Sequence, residues 1–363
     1  MMDDSTNIRA YRVFKGRGSV INQKSRFDRL DQTPFDDGWD SLAVAIEEDG
    51  RPKTEINADR SRSVIARNQS PDIPFDHSIN PYRGCEHGCI YCYARPSHAF
   101  LGQSPGLDFE TKIWAKHDAA ELLVGELARP SYRCSPIALG ANTDPYQPIE
   151  RQLGITRRIV EVLSRHDHPL TIVTKSAAVL RDLDLLTPMA EKGLAAVAIS
   201  VTTLDPALAR KMEPRAAAPH RRLEALRQLA DAGIPAVVMV APVIPGLTDH
   251  ETEAIMEAAA SRGAWRATYT LLRMPHEIKD LFRHWLIQHE PLKAERILSL
   301  VRQCRDGRLN DARFGSRMRG EGSYAKLIAR RFELARKRLG LCRKIPDLRL
   351  DLFRRPGDQL RLL

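Results

Sequence analysis

The stretch Cys85-Glu86-His87-Gly88-Cys89-Ile90-Tyr91-Cys92 decides the reading of this chain, because three of its six cysteines fall there with the spacing C-x3-C-x2-C. A loop this short can bring three thiolates to one place, and thiolates are the ligands that iron–sulfur clusters and zinc prefer. The absent fourth cysteine separates the two. A structural zinc site closes four positions with protein, whereas three thiolates on a four-iron cluster leave one iron open to an outside ligand. A zinc knuckle completed by His87, His98 or Cys134 is the competing reading, although no second C-x2-C or Cys/His pair at knuckle spacing occurs.

Working outward, the 363 residues suffice for one large or two ordinary domains, and 43% hydrophobic with 28% charged residues is the composition of a globular protein. No apolar run reaches the roughly 18 residues needed to span a bilayer, so no membrane association is expected. The start, Met-Met-Asp-Asp-Ser, has no charged-then-apolar leader pattern, and three cysteines in one loop suit a reducing compartment. A cytoplasmic location is expected. The net charge of +10 is placed unevenly: residues 305–363 hold 17 Lys and Arg against 7 Asp and Glu. Such a basic end is suited to a polyanion such as nucleic acid, with a solvated helical face as the plainer alternative.

From about residue 77, short apolar runs alternate with amphipathic stretches, the mark of successive β-α units on a parallel sheet. Strands are expected at Ser78 to Tyr82, Pro136 to Ala141, Leu170 to Thr174, Ala195 to Val201, Ala236 to Ala241 and Arg266 to Leu272. Helical patterns run through Thr156 to Leu163 and Arg221 to Leu229, and Gly193 and Gly233 stand where helices would end. The fold class is therefore α/β, an incomplete (β/α)6 barrel over residues 71–275. Before it lies an N-terminal extended, partly disordered arm (1–70), pinned by Phe35, Trp39 and Ile65. After it comes a C-terminal helical basic extension (276–363), whose helices close the open side of the barrel.

The cysteine spacing, with the aromatic Tyr91 just before the last cysteine, resembles the signature of the radical S-adenosylmethionine (SAM) superfamily, whose fold is this same partial barrel. The resemblance implies a [4Fe-4S] cluster on Cys85, Cys89 and Cys92. It implies that the open iron receives the amino and carboxylate groups of SAM, and that reductive cleavage yields a 5'-deoxyadenosyl radical that takes hydrogen from a substrate. An external electron donor of flavodoxin or ferredoxin type follows from the same resemblance. Functional groups of parallel barrels gather at strand C-termini, and there Asn142, Thr143 and Asp144 fall where superfamily members bind the SAM amino group. A turn with a helix cap is the alternative use of Asn-Thr-Asp-Pro. Lys175 after strand three is placed for the SAM carboxylate, Ser200 on strand four for ribose or carboxylate, and Arg215 offers a planar fork for a carboxylate. The apolar turn after strand five suits an adenine ring. Tyr269 and Arg273, on one alternating face of strand six, are placed to meet a substrate.

The stretches Arg67 to Asp76, Asn80-Pro81-Tyr82-Arg83-Gly84 and Ala94-Arg95-Pro96-Ser97-His98 resemble a bacterial radical-SAM family related to spore photoproduct lyase. In the lyase a hydrogen-donor cysteine precedes a Thr-Ser-Asp segment; here the corresponding residue is Ala141, which cannot donate. Cys134 lies upstream of the strand, leaving Tyr146 and Tyr269 as candidate hydrogen donors. The substrate is open between nucleic acid and a protein or metabolite, and a cluster-bearing sensor or nucleic-acid-binding protein that never cleaves SAM is the alternative of another class.

Overall fold

The computed structural model describes residues 15–28, 52–345 and 347–357. Phe35 and Trp39 lie outside the described residues. Among the described residues, ten strands form two sheets. A three-stranded sheet joins β1 (Glu55–Ala58), β5 (Lys112–Ala115) and β4 (Tyr82–Arg83), with β5 in the middle, parallel to β1 and antiparallel to β4. The larger sheet has the order β10-β9-β8-β7-β6-β3-β2. Its members are β2 (Ile65–Arg67), β3 (His77–Ile79), β6 (Ile137–Leu139), β7 (Leu170–Thr174), β8 (Ala195–Ser200), β9 (Ala236–Val243) and β10 (Arg266–Leu271). All but β2 run parallel. Six consecutive parallel strands in chain order, curved by helices on one face, make the incomplete (β/α) barrel.

The central strands are buried on both faces, as strands covered on both sides must be: Ala195, Ala196 and Val197 of β8 and Ala236, Val237 and Val238 of β9 are all buried. Against the sheet pack α1 (Ala119–Leu127), α2 (Ile155–Arg165), α3 (Leu183–Glu191), α5 (Pro219–Asp231) and α6 (Thr252–Ala260), while Leu208 and Met212 of α4 (Pro206–Met212) share a second core with Ile90 and Tyr91. The helix α2 shows the rule, with Ile155, Ile159, Val160, Val162 and Leu163 buried along one face. Gly193 and Gly233 adopt the left-handed φ values of 72° and 73° that end α3 and α5.

Two expectations change. The first strand does not run from Ser78 to Tyr82. It stops at Ile79, because Pro81 has no N–H for a ladder and restricts Asn80 before it; Tyr82 and Arg83 then pair in the other sheet. The segment expected as an extended arm is also structured in part. β1 and β2 lie within it, and residues 15–28 form a strap bound to the main body by side-chain and backbone hydrogen bonds.

Beyond the barrel come α7 (Ile278–His289), α8 (Ala294–Gln303) and α9 (Gly322–Arg338). Phe282, Trp285, Ile297 and Leu298 of α7 and α8 share a core with Cys89, Ile90 and Tyr91, so these helices back the cysteine loop and close that side. Four cations of the C-terminal segment pair with acids of the main body. Arg317 meets Asp72, Arg331 meets Glu253, Arg338 meets Glu257 and Arg354 meets Asp167, so part of the basic charge fastens the segment to the barrel.

Candidate functional site

The loop Cys85–Cys92 leaves β4 at the C-terminal ends of the parallel strands and is held from three directions. The amide of Cys85 donates to the Phe109 carbonyl at 2.9 Å, that of Glu86 to Gln147 Oε1 at 2.8 Å, and that of Ile90 to the Met212 carbonyl at 3.0 Å. Behind the loop, the fully buried Arg95 guanidinium donates to the carbonyls of Cys89 (2.9 Å) and Gly88 (3.1 Å) and pairs with Glu110 at 2.5 Å. The two Glu110 oxygens also accept from the amides of Gly18 (2.9 Å) and Ser19 (2.8 Å), which press the strap onto the loop. A Cβ on Gly18 would stand 1.9 Å from the Gly88 carbonyl oxygen, so only glycine lets these two backbones approach so closely.

Cys85, Cys89 and Cys92 are unpaired and line one cavity of about 210 Å³. Its walls include Tyr91, Tyr93, Asn142, Thr143, Asp144, Lys175, Ser200 and Arg273, and its apolar floor Met239, Ala241, Pro242 and Leu271. The structure thus brings together the three cysteines, Tyr91, Asn142, Thr143, Asp144, Lys175 and Ser200. Gly140 sets the approach of the Asn142 segment: its φ is +95° and a Cβ there would meet the Val173 carbonyl at 2.2 Å.

Asp144 is a hub. Oδ1 accepts from Thr174 Oγ1 (2.7 Å) and the Tyr146 amide (2.9 Å); Oδ2 accepts from the Lys175 amide (2.8 Å) and lies 3.2 Å from His87 Nδ1. These four contacts use the carboxylate's accepting capacity. Burial pushes the carboxyl up, but His87 beside it and the surrounding donors outweigh burial and hold it below its ordinary value. Thr143 is also engaged, donating to the Gly84 carbonyl at 2.7 Å. The Asn-Thr-Asp segment therefore fixes the cysteine loop to the ends of β6 and β7.

Across the cavity, the Lys175 ammonium donates to Ser200 Oγ (2.6 Å), Thr202 Oγ1 (3.3 Å) and the Ala241 carbonyl (3.1 Å), 3.4 Å from Glu213 Oε1. Burial pulls it down to about 8, with the nearby acidic groups acting in the opposite sense. Glu213, fully enclosed, is also bonded by Arg222, Thr202 and the Tyr91 hydroxyl. This network locks the Tyr91 ring.

Three sequence-derived candidates stand elsewhere. Arg215 does not reach the cavity, because its guanidinium pairs with Glu86 at 2.8 Å and bonds Thr54. Tyr146 is buried outside the cavity with its hydroxyl on Asp182 at 2.9 Å. Tyr269 packs on Phe332 with ring centroids 4.6 Å apart, and the Arg319 guanidinium lies 4.1 Å over the ring. The alternation expected to put Tyr269 and Arg273 on one face does not reach Arg273, because β10 ends at Leu271. Neither tyrosine is placed to donate hydrogen into the cavity; Arg273 is at its wall. Glu213, Arg222 and Tyr93 were not singled out from sequence. Arg222 had a readable signal, since it sits four and seven residues before Leu226 and Leu229 on the buried stripe of α5.

The donor set suits a cluster better than an ion. Among the described residues no three His, Cys, Asp or Glu side chains converge as around one metal ion; zinc at ~2.3 Å from each sulfur would draw thiolates to within roughly 3.8 Å of one another. His87 is committed to Asp144, and His98 is buried against Phe109. Burial pushes all three thiols up, so they become thiolates only where a bound cationic centre offsets that cost.

Fold and site together define a partial parallel barrel with a three-cysteine loop at the mouth of its catalytic end. The model of the radical SAM superfamily matches residues 79–259, and the chain belongs to that superfamily. It is 37% identical over 233 residues to an uncharacterised protein of Mycobacterium tuberculosis, covering 64% of this chain and 68% of that one. It is 27% identical over 243 residues to an uncharacterised protein of Methanocaldococcus jannaschii, covering 67% and 86%. Among solved structures, spore photoproduct lyase complexed with dinucleoside spore photoproduct superposes with a TM-score of 0.56 at 18% identity over 78% of each chain, a likeness of fold. No helix among the described residues is long and apolar enough to cross a membrane.

Proposed function

We propose that the protein is a radical SAM enzyme that binds a [4Fe-4S] cluster through Cys85, Cys89 and Cys92, binds SAM beside it, and acts on nucleic acid. The observation that carries the first part is the convergence of three unpaired cysteines, Cys85 and Cys89 buried and Cys92 partly so, and a partly buried lysine on one cavity at the strand C-termini. A cluster held by these cysteines would pass one electron to SAM, releasing methionine and a 5'-deoxyadenosyl radical that would become 5'-deoxyadenosine on taking hydrogen from a substrate C–H bond.

The chain's own residues do the rest. Lys175 presents its ammonium to the SAM carboxylate, with Ser200 sharing that position; Tyr91, fixed by Glu213 and Thr202, forms the wall beside the loop. Met239, Ala241 and Pro242 offer an apolar floor for the adenine. Asp144 acts as a positioning residue for the loop, its oxygens being filled by protein donors. The reducing electron comes from an external flavodoxin- or ferredoxin-type donor. Nucleic acid is favoured because a fold relative has been solved with a dinucleoside lesion and because the cavity mouth presents an aromatic ring beneath an arginine, Tyr93 under Arg273 at 5.3 Å. Ala141 lines the cavity with a methyl group, so the reaction does not use a hydrogen-donating thiol at that position.

The test is anaerobic reconstitution with iron and sulfide, reduction, and chromatographic assay of 5'-deoxyadenosine from SAM with and without DNA or RNA. Product formation stimulated by a nucleic acid is expected. A protein that binds the cluster and never cleaves SAM would refute the enzymatic reading.

A further inference from the structure

The cavity holds two cations of different standing. Lys175 lies on the cysteine side, near Glu213 and three oxygen acceptors. Arg273 lies at the mouth, above the half-exposed Tyr93 ring, and among the described residues it makes no ion pair. Among the described residues its one donor contact is to Met318 Sδ at 3.7 Å, and its Nε is buried without a partner. A guanidinium removed from water is costly unless it meets an anion or several acceptors.

Its neighbours differ at their terminal nitrogens, although Arg305 Nε is likewise buried without a partner. Arg305 donates to the carbonyls of Leu272 (2.7 Å), Arg317 (2.8 Å), Ser316 (3.1 Å) and Leu271 (3.3 Å). Arg317 grips Asp72 with two bonds of 2.7 and 2.5 Å. The terminal nitrogens of Arg305 thus hold residues 316–317 against the end of β10, Arg317 is tied to Asp72, and the charges of both repel Arg273. Of the three, Arg273 alone lines the cavity, so its fork is the one left to meet a ligand.

We propose that Arg273 is the phosphate-binding residue of the cavity mouth. Its planar fork receives an oxyanion of the substrate's phosphodiester backbone on the solvent side of Tyr93, while Lys175 serves the SAM side. A planar, permanently charged fork matches two phosphate oxygens at once, which a lysine does not. This assignment rests on nucleic acid being the substrate.

The experiment measures binding of a fluorescent single-stranded oligonucleotide to the reconstituted protein with SAM present, across a salt series, for wild type, Arg273→Gln and Arg273→Lys. SAM affinity is measured separately by equilibrium dialysis. Arg273→Gln is expected to weaken oligonucleotide binding by about 10-fold or more at low salt. It is also expected to lower the slope of log affinity against log salt by about 0.7, one phosphate contact on a single strand, while SAM affinity stays within about 2-fold. Arg273→Lys should keep the slope and lose part of the affinity. A merely structural role would not move the salt slope.

Equal affinity and slope in Arg273→Gln, or no oligonucleotide binding by wild type, overturns the proposal. So does a 10-fold loss of SAM affinity with oligonucleotide binding retained, which would assign Arg273 to the carboxylate of SAM. The reading of the protein as a SAM-cleaving enzyme fails on a separate result, absence of 5'-deoxyadenosine in wild type, and loss of oligonucleotide binding in Arg273→Gln would support the phosphate contact even then.

Discussion

Gly18→Ala is the most searching perturbation of the cysteine loop that touches no cysteine. The new Cβ would stand 1.9 Å from the Gly88 carbonyl oxygen, a backbone atom that cannot rotate aside, so strap and loop must part by at least about 1 Å to reach a contact near 3.0 Å. The amides of Gly18 and Ser19 now bond Glu110 at 2.9 and 2.8 Å. Stretched by that much, both bonds pass beyond hydrogen-bond range. Bonds to a charged acceptor contribute about 1.5–3 kcal/mol each, so the strap would lose roughly 3–6 kcal/mol of local stability. At the lower figure its opening becomes about a hundredfold more frequent, at 1.4 kcal/mol per decade. Hydrogen-exchange mass spectrometry of the peptide spanning residues 15–28 in the metal-free protein reads this directly, and faster exchange there with little change in the barrel strands is expected. In the reconstituted protein, absorbance of the cluster should bleach faster in air, since the Gly88 face loses its cover. Unchanged exchange in residues 15–28 would refute the argument that this close approach holds the strap.

Replacing Cys85, Cys89 or Cys92 singly by Ala should abolish cluster binding, because two thiolates hold a cluster too weakly; a full iron and sulfide content in any such variant would remove the assignment. Lys175→Gln should leave iron content intact and weaken SAM binding about 10-fold, as loss of a charge-assisted contact does; calorimetric titration with SAM decides. His168, whose Nε2 meets the Tyr132 hydroxyl at 2.7 Å, is pulled down to about 4, first by burial. A lowered histidine stabilises fully above its unfolded value of about 6.5 and loses that contribution as pH falls toward 4, so at pH 5 it costs about 2 kcal/mol relative to pH 7. In His168→Gln the difference between denaturation free energies at pH 7 and pH 5 should shrink by about that amount, and an undiminished difference would place the acid sensitivity elsewhere.

The barrel was legible because its strands read as short runs rich in apolar and β-branched residues between helical patterns, as in Leu170–Thr174, whose bounds agree with expectation. Tyr82 was misplaced because an apolar run says nothing of which sheet a strand joins once Pro81 has interrupted it. Position after a strand identified the loop, Asn142 to Asp144, Lys175 and Ser200, since in a parallel sheet those points share one rim. Arg215 failed because a residue beyond the strand end is aimed by its loop, here toward Glu86. Tyr269 failed because its face of β10 is covered by Phe332 and Arg319, and period-two reasoning cannot be carried past the strand end at Leu271 to Arg273. The Glu110–Arg95 pair and its hold on the strap join residues up to 92 positions apart, and no local pattern announces that.

The part of the cavity wall formed by Thr270, Leu271 and Arg273 comes from beyond residue 259, where the superfamily match ends. The core supplies the thiols, Lys175 and Ser200; the later residues border the entrance. Behind that wall, Met318 meets the Arg273 guanidinium and Arg305 holds the Leu271 and Leu272 carbonyls, so exchanges within 305–318 can reshape what is admitted while the interior chemistry stays in place. Selectivity and reactivity are thus separable inheritances in this architecture, able to diverge at different rates.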